Sequence, residues 1–341
     1  MRTEDFDYHL PPELVAQTPI EPRDASRLLV VDRDLHSISH DTFTQLPQFL
    51  RPGDLLVVND SRVLPARLRG TRSRGGGTAE LLLLRDFGEG RWLCLARPAR
   101  RMRIGDTLSF GDGLLRARIV EELPDGQRVV AFETNGRPFL SVLAELGEMP
   151  LPPYIHQQPS DRERYQTVYA REVGSVAAPT AGLHFTHDLL SRLSDQGVRL
   201  ASVTLHVGLG TFKTVQVDDI EQHRMHAEFG MLSAETASLI AETRNRGNRI
   251  IAVGTTALRV LETAAIGGTV AAWSGWTDIF IYPGFTFRAT DALVTNFHLP
   301  RSTLLMLISA FAGKDLVDRA YALAVAERYR FFSFGDAMLI I

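Results

Sequence analysis

The stretch Arg249-Ile-Ile-Ala-Val-Gly-Thr-Thr-Ala-Leu-Arg-Val-Leu-Glu-Thr-Ala-Ala265 decides how this chain folds. Arg249 to Val253 is a short apolar run rich in β-branched residues and reads as a buried strand. Gly254 interrupts it, and Thr256 to Ala265 reads as a helix. A strand that passes directly into a helix is the building unit of α/β folds with a parallel sheet. The turn is also a candidate site. Free N–H groups and the hydroxyls of Thr255 and Thr256 meet at the helix start, which favours an anion such as a carboxylate or a phosphate. A simple threonine N-cap accounts for the same letters, so both readings stand at this stage.

Working outward, the same alternation continues. A strand Ala201 to His206 and a helix Ala234 to Arg246, closed by Gly247, come before; a strand Asp278 to Tyr282 comes after. A helix Thr303 to Ala312 starts behind Ser302 and stops at Gly313, followed by an amphipathic helix Leu316 to Arg330 and a strand Ala337 to Ile341. Near the start, Arg27 to Asp32 and Leu55 to Val58 read as strands and Thr42 to Leu50 as a short helix. Between Arg62 and Pro150 the pattern changes to closely spaced β-like runs: Ala79 to Leu84, Trp92 to Ala96, Thr107 to Phe110, Leu114 to Val120 and Val129 to Glu133. Glycine turns separate them, which predicts a small antiparallel barrel. The proline-rich Met149 to Tyr154 reads as a boundary. The expected architecture is a discontinuous α/β main domain, residues 1–61 and 151–341, with an inserted arginine-rich barrel domain, residues 62–150. Three consecutive small domains are the alternative.

Composition narrows the class. With 45% hydrophobic and 23% charged residues in 341, the chain has the balance of a globular protein. Cys94 is its one cysteine, which rules out an intrachain disulfide and a cysteine-cluster zinc site and fits a reducing compartment. Met1 to Leu10 carries acids where a signal peptide would carry a basic and then an apolar segment, so a cytoplasmic location is expected. The apolar run Leu304 to Ala312 is about half the roughly 18 residues a membrane helix needs. Net charge is −3, yet from Arg62 to Arg103 eleven arginines face three acids, Glu80, Asp86 and Glu89, a local balance of 11 − 3 = +8. A solvated face and a phosphate-binding patch both explain it.

Groups capable of chemistry collect in loops behind predicted strands, where α/β proteins bind ligands. The turn Ala177-Ala-Pro-Thr-Ala-Gly-Leu-His-Phe185 can present Thr180 and His184, and a neutral histidine exchanges a proton near pH 7. His206-Val-Gly-Leu-Gly-Thr-Phe212 sets a histidine at a strand end before Gly208 and Gly210, which let a ligand approach the backbone. It lacks the third glycine of a dinucleotide fingerprint. Thr295-Asn-Phe-His-Leu-Pro-Arg-Ser-Thr303 joins His298 to Arg301 ahead of a buried helix, although an ordinary cap at Ser302 reads the same way. The pairs His184 with His187 and His223 with His226 have a spacing that suits two ligands on one helix face, which keeps a metal-dependent hydrolase as an alternative. A non-catalytic RNA-binding module is a second alternative.

Taken with Asn59-Asp-Ser-Arg-Val-Leu-Pro-Ala-Arg67, Tyr165 to Tyr169, His223 to Glu228, Thr277 to Gly284 and Tyr329 to Ile340, these segments closely resemble the S-adenosylmethionine:tRNA ribosyltransferase-isomerases of queuosine biosynthesis. The resemblance spans most of the chain. It departs mildly at Ser61, Leu64 and Ala257-Leu258. It implies an α/β part and a β-barrel part working without metal or a permanently bound cofactor, with S-adenosylmethionine as co-substrate. The implied reaction transfers the ribosyl part of S-adenosylmethionine to 7-aminomethyl-7-deazaguanine at the wobble position of tRNAs with GUN anticodons. Adenine and methionine leave, and epoxyqueuosine forms. The resemblance also suggests a monomer with no obligatory protein partner.

Such chemistry needs a base beside the sulfonium, a proton donor for adenine and hydrogen bonds to ribose oxygens. His184, His206 and His298 are the expected proton carriers, with Asp60 and Glu228 as reserve carboxylates. Thr180, Gly208, Gly210, Thr255, Thr256 and Asp278 are the expected S-adenosylmethionine contacts. Arg62, Arg67, Arg97, Arg100, Arg101, Arg103 and Arg301 are expected to meet tRNA phosphates, and Tyr169, Phe185 or Phe212 to stack on the unstacked base.

Overall fold

Alternate residues of the strand Leu55–Asn59 face opposite sides of the main sheet, and every one of them is buried. Leu55 and Val57 pack into one core with Leu29, Val31, Ile250, Ala252 and Leu293, while Leu56 and Val58 pack into another with Leu28, Val30, Ile251 and Val253. A strand apolar on both faces belongs in the middle of a sheet covered on both sides. The computed structural model describes residues 1–152, 154–155, 161–208 and 215–341. Among them the main sheet has nine strands, in the order Trp273–Thr277, Glu228–Leu232, Arg199–His206, Leu55–Asn59, Ile250–Val253, Ala292–Asn296, Ala337–Ile340, Arg27–Asp32, Ser37–Thr42.

Four neighbours, Arg199–His206, Leu55–Asn59, Ile250–Val253 and Ala292–Asn296, run parallel, with Val57 opposite both Ala201 and Ala252. Helices Gly254–Ala264, Thr303–Ala312 and Lys314–Ala326 cover the first face. Helix His187–Asp195 and the 3-10 helix Phe43–Phe49 cover the second. Ser302 caps Thr303–Ala312 by accepting from the Leu305 N–H, as its sequence predicts. Among the described residues no helix is long and apolar enough to cross a membrane.

By its contacts the chain divides into two units. One comprises Met1–Arg62, Pro153–Glu172 and Ala178–Ile341 and holds the nine-stranded sheet; the other comprises Val63–Pro152 and Val173–Ala177. In the second, six antiparallel strands close into a barrel: Arg67–Arg72, Thr78–Gly88, Arg91–Arg97, Thr107–Phe110, Leu115–Glu122 and Gln127–Glu133. The alternation in Arg91–Arg97 sends Trp92, Cys94 and Ala96 inward and Arg91 and Arg97 outward. Burial pushes the Cys94 thiol up, so it is an inert core residue.

The fold class is the one expected, and several elements differ from their reading: the helix His187–Asp195 and the strand Glu228–Leu232 have no expected counterpart. The strand expected at Asp278 to Tyr282 lies one step earlier, at Trp273–Thr277, where it pairs with Glu228–Leu232. Ile279 to Tyr282 is apolar because it packs on the core without a ladder, with Ile281 buried and Phe280 against His223. Ser37–Thr42 is a polar strand at the sheet margin and carries no apolar signal. Arg67–Arg72 has Leu68 as its one large inward side chain, and the barrel unit also holds a helix, Phe139–Leu146, where only strands are expected.

At the amino ends of the parallel strands, buried Asp54 accepts from the Arg51 N–H (2.8 Å) and from Arg249 through its backbone N–H (3.2 Å) and Nη2 (2.6 Å). Removing one partner of such a pair leaves an uncompensated charge in the interior. Asp54→Ala should therefore lower unfolding stability by about 3 kcal/mol in urea titrations. A loss below about 1 kcal/mol would show that this pair does not hold the strand starts together.

Candidate active site

The carboxyl ends of the four parallel strands place His206, Asn59, Val253 and Asn296 along one edge of the sheet. Such an edge is where an α/β sheet offers loops and helix starts to a ligand. Gly254, with φ +86°, turns the chain from Val253 into the helix Gly254–Ala264, and a Cβ there would lie 3.5 Å from both Ala181 Cβ and Thr256 Oγ1. The 3-10 helix Thr180–His184 thus packs beside the start of that helix. At Gly182 a Cβ would fall on the Tyr169 hydroxyl and on Thr167, which brings the Tyr165 to Tyr169 segment to the same edge.

His184 is built into this edge. The Asn296 amide nitrogen lies 3.1 Å from His184 Nε2 and donates to the Phe332 carbonyl (3.2 Å), while its oxygen accepts from Thr180 Oγ1 (2.9 Å). An amide nitrogen only donates, so Nε2 accepts and Nδ1 carries the proton toward Ser26 Oγ at 2.8 Å. Burial, reinforced by the positive charges of Arg164 and Arg330, pulls the His184 pKa down to about 3. His298 is also buried. Its Nε2 lies 2.8 Å from Thr295 Oγ1, its backbone N–H donates to the Tyr321 hydroxyl (2.8 Å), and burial takes the ring's pKa to about 3. Both rings are neutral at pH 7, and neighbours hold both ring nitrogens of His184 and Nε2 of His298.

His206 differs. It ends its strand half-buried, stacks on Phe229 at 6.3 Å, and its buried Nδ1 has no hydrogen-bond partner among the described residues. Burial lowers its pKa, and the charges of Glu172 and Asp60 oppose that shift. Asp60 is saturated. One oxygen accepts from Thr204 Oγ1 (2.7 Å) and the other from Arg171 Nη2 (2.9 Å), while its carbonyl accepts from the Arg171 N–H (2.7 Å). Glu228 is buried too, accepting from the Gly208 N–H (2.8 Å) and paired with Arg259. Both carboxylates hold neighbouring groups in place.

Thr255 is buried, and the Thr256 hydroxyl is buried without a partner among the described residues. Asp278 is exposed, following Thr277, which pairs with Glu228 across the sheet. Gly210 and Phe212 lie outside the described residues. Phe185 is fully buried against Phe43 and is therefore not a stacking platform. Several groups here escape a reading by residue type: the Ser61, Thr167 and Tyr169 hydroxyls and Arg259 Nε and Nη2 are likewise buried and unpartnered among the described residues. Their letters carry no signal; only the strand-end position of Ser61 and the helix position of Arg259 point to the site. The paired histidines do not share a helix face. His184 ends a 3-10 helix and His187 opens the next helix, while His223 and His226 lie in irregular chain. Among the described residues no three metal-binding side chains converge.

The arginines separate into two groups. Arg62 pairs with Glu163, Arg103 with Glu122 (3.0 Å) and Arg301 with Asp7, and Arg67 sits 4.0 Å from Glu80 with its Nε buried. Arg97, Arg100 and Arg101 are exposed and form no ion pair among the described residues. Arg128 holds their loop in place. Buried inside the barrel unit, it donates from Nε to the Met102 carbonyl (2.8 Å) and from Nη2 to the Ala99 carbonyl (2.8 Å).

Two histidines neutral in the fold but titrating near 6.5 when unfolded make stability depend on pH. Between pH 6.5 and 3 the unfolded chain binds more protons, so stability rises with pH and is lost on acidification, by about 1.4 kcal/mol per unit per histidine. Glu262 and Asp336, raised by burial, offset part of this. His298→Gln should remove about half of the difference in unfolding free energy between pH 6.5 and 5 that the histidines contribute. An unchanged difference in that variant would mean that His298 is not buried neutral.

Comparison with known proteins supplies what geometry alone does not. The family model described as queuosine biosynthesis protein matches residues 3–340. The S-adenosylmethionine:tRNA ribosyltransferase-isomerase of Symbiobacterium thermophilum is 59% identical over 342 aligned residues, covering 100% of each chain. A crystal structure of the S-adenosylmethionine tRNA ribosyltransferase from Thermotoga maritima superposes with a TM-score of 0.58 at 45% identity, over 99% of this chain and 100% of that one. With a match from end to end and a polar, ligand-ready edge on an α/β sheet accompanied by a closed barrel, the chain belongs to the queuosine biosynthesis protein family.

Proposed function

We propose that this chain transfers and isomerises the ribosyl moiety of S-adenosylmethionine onto 7-aminomethyl-7-deazaguanine at the wobble position of tRNA with a GUN anticodon. Epoxyqueuosine-tRNA forms and adenine and methionine are released. The observation that carries this reading is the 59% identity to a ribosyltransferase-isomerase over the whole of both chains. The work is done in the cytoplasm by the chain alone, with no resident cofactor or metal; the main α/β unit is the catalytic domain and the barrel an arginine-rich inserted domain.

His206 is the base in this reading. A lowered pKa keeps the ring neutral at pH 7, its Nδ1 is unclaimed, and the reaction needs a neutral acceptor for the acidic proton beside the sulfonium. Thr256 at the helix start donates to the anionic end of S-adenosylmethionine, and Asp278 accepts from its ammonium. Asp60, Glu228, Thr180, His184 and His298 act through others, by fixing the loops that carry the contacting groups. Tyr169 and Phe212 are the remaining aromatic candidates for stacking on the unstacked base. Arg97, Arg100 and Arg101 meet the phosphates; Arg62, Arg67, Arg103 and Arg301 do so only by exchanging a carboxylate partner.

Purified protein incubated with S-adenosylmethionine and tRNA bearing 7-aminomethyl-7-deazaguanine, with chelator present, should release adenine and yield the epoxycyclopentanediol nucleoside. His206→Gln should lower that rate by about 10²- to 10⁴-fold with little change in the KM for S-adenosylmethionine. Binding of tRNA without turnover by the wild type would leave an RNA-binding module instead. The second expectation concerns salt: replacing Arg97, Arg100 and Arg101 with alanine should reduce the slope of log Kd against log salt for tRNA by about 2 to 3. An unchanged slope would remove these three from the interface.

A further inference from the structure

Arg259 is the one charged side chain among the described residues whose burial is nearly complete and whose hydrogen-bonding capacity is half unused. Its side chain is 5% exposed, as is that of its partner Glu228. Nη1 donates to Glu228 Oε2, while Nε and Nη2 are buried without a partner among the described residues. These two atoms form one side of the planar guanidinium, the edge that presents two parallel N–H groups and matches both oxygens of a carboxylate. Leaving charged donors buried and unused is costly, so the edge calls for an acceptor.

The neighbours identify it. Thr256 lies three residues before Arg259 on the helix Gly254–Ala264, hence on the same face, and its hydroxyl is also buried and unclaimed. Glu262, the nearest acid on that helix, is committed to the N–H groups of Arg288 (2.8 Å) and Ala289 (3.1 Å). Resting on the proposed reaction, we infer that the Nε–Nη2 edge of Arg259 binds the α-carboxylate of the methionyl part of S-adenosylmethionine, with the Thr256 hydroxyl donating to the same group. A tRNA phosphate is the competing anion, and the two are told apart by whether the substrate's carboxylate or the tRNA sets the effect of changing Arg259. Glu228 then has two tasks: it balances Arg259 before substrate arrives and, through the Gly208 N–H, fixes the chain just past His206. The anchor for the departing methionine is thus tied to the backbone that follows the base.

The test compares S-adenosylmethionine with its decarboxylated analogue on the same tRNA, reading adenine release. Wild type should prefer the carboxylated substrate in kcat/KM by about 30- to 100-fold, and Arg259→Lys, which keeps the charge but loses the edge, should shrink that ratio to about threefold. A wild type that uses both substrates within about threefold overturns the inference without any variant having to fold. So does an Arg259→Lys enzyme slowed equally on both substrates, or one in which only the KM for tRNA rises. No adenine release from S-adenosylmethionine by the wild type would instead overturn the reaction beneath it.

Discussion

The side chain of Asn59 stands in for a rung of the sheet, and the site depends on it. Where the strand Leu55–Asn59 ends, the amide of Asn59 donates to the Leu205 carbonyl (3.1 Å) and accepts from the N–H groups of Leu205 (3.0 Å) and Ser61 (3.1 Å). The ladder to the neighbouring strand is thereby prolonged by a fully buried side chain, just as the main chain turns away. Without such a substitute, two buried strand ends would carry unpaired backbone groups at a cost of about 1–3 kcal/mol each. With it, Asp60 and His206 emerge side by side from adjacent strands in a fixed register.

Beyond that rung, the polar groups of the edge divide according to whether they are satisfied. Asp60, Asn296 and His184 have their partners within the protein, and each ties segments distant in sequence: Asp60 to Thr204 and Arg171, Asn296 to Thr180 and His184. A closed network of this kind is rigid, and its members have little capacity left for a ligand. Without a partner among the described residues are His206 Nδ1, Arg259 Nε and Nη2, and the hydroxyls of Ser61, Thr167, Tyr169 and Thr256. They belong to segments that the network holds in place. The division follows what preorganised catalysis requires, with one set of groups spent on positioning and another kept open for the substrate.

Much of this was legible in the residues, for reasons that differ by level. The strand and helix at 249–265 are evident because four apolar residues in a row give way at Gly254 to a helical pattern, and Ser302 with Gly313 brackets a helix by capping chemistry. Ser37–Thr42 is invisible because a strand at a sheet margin has no need of apolar residues, and Trp273–Thr277 because the stronger apolar signal of Ile279 to Tyr282 comes from packing. At the site, position was readable and state was not. His206 and Thr256 are marked by following a strand or opening a helix. That His184 is satisfied, while Arg259 is half unused, depends on partners such as Asn296, 112 residues from His184. No local pattern reports that distance.

Arginine shows how far residue type alone can mislead. In the barrel unit the same letter serves opposite ends: Arg128 is buried and spends its donors on the Ala99, Met102 and Gln127 carbonyls, so that Arg100 and Arg101 stand out in solvent. Counting charges from Arg62 to Arg103 gives a strongly positive segment, but pairing with Glu163 and Glu122 removes Arg62 and Arg103 from the field available to a polyanion. Of the positive charge that remains, Arg100 and Arg101 are the part that Arg128 holds in a braced loop. A guanidinium is a rigid planar donor set whose role is fixed by what claims its edges. In the barrel, carbonyls and Glu122 claim the edges of Arg128 and the protein gains a scaffold; in the sheet unit, Glu228 claims only one edge of Arg259, and what remains is shaped for a carboxylate.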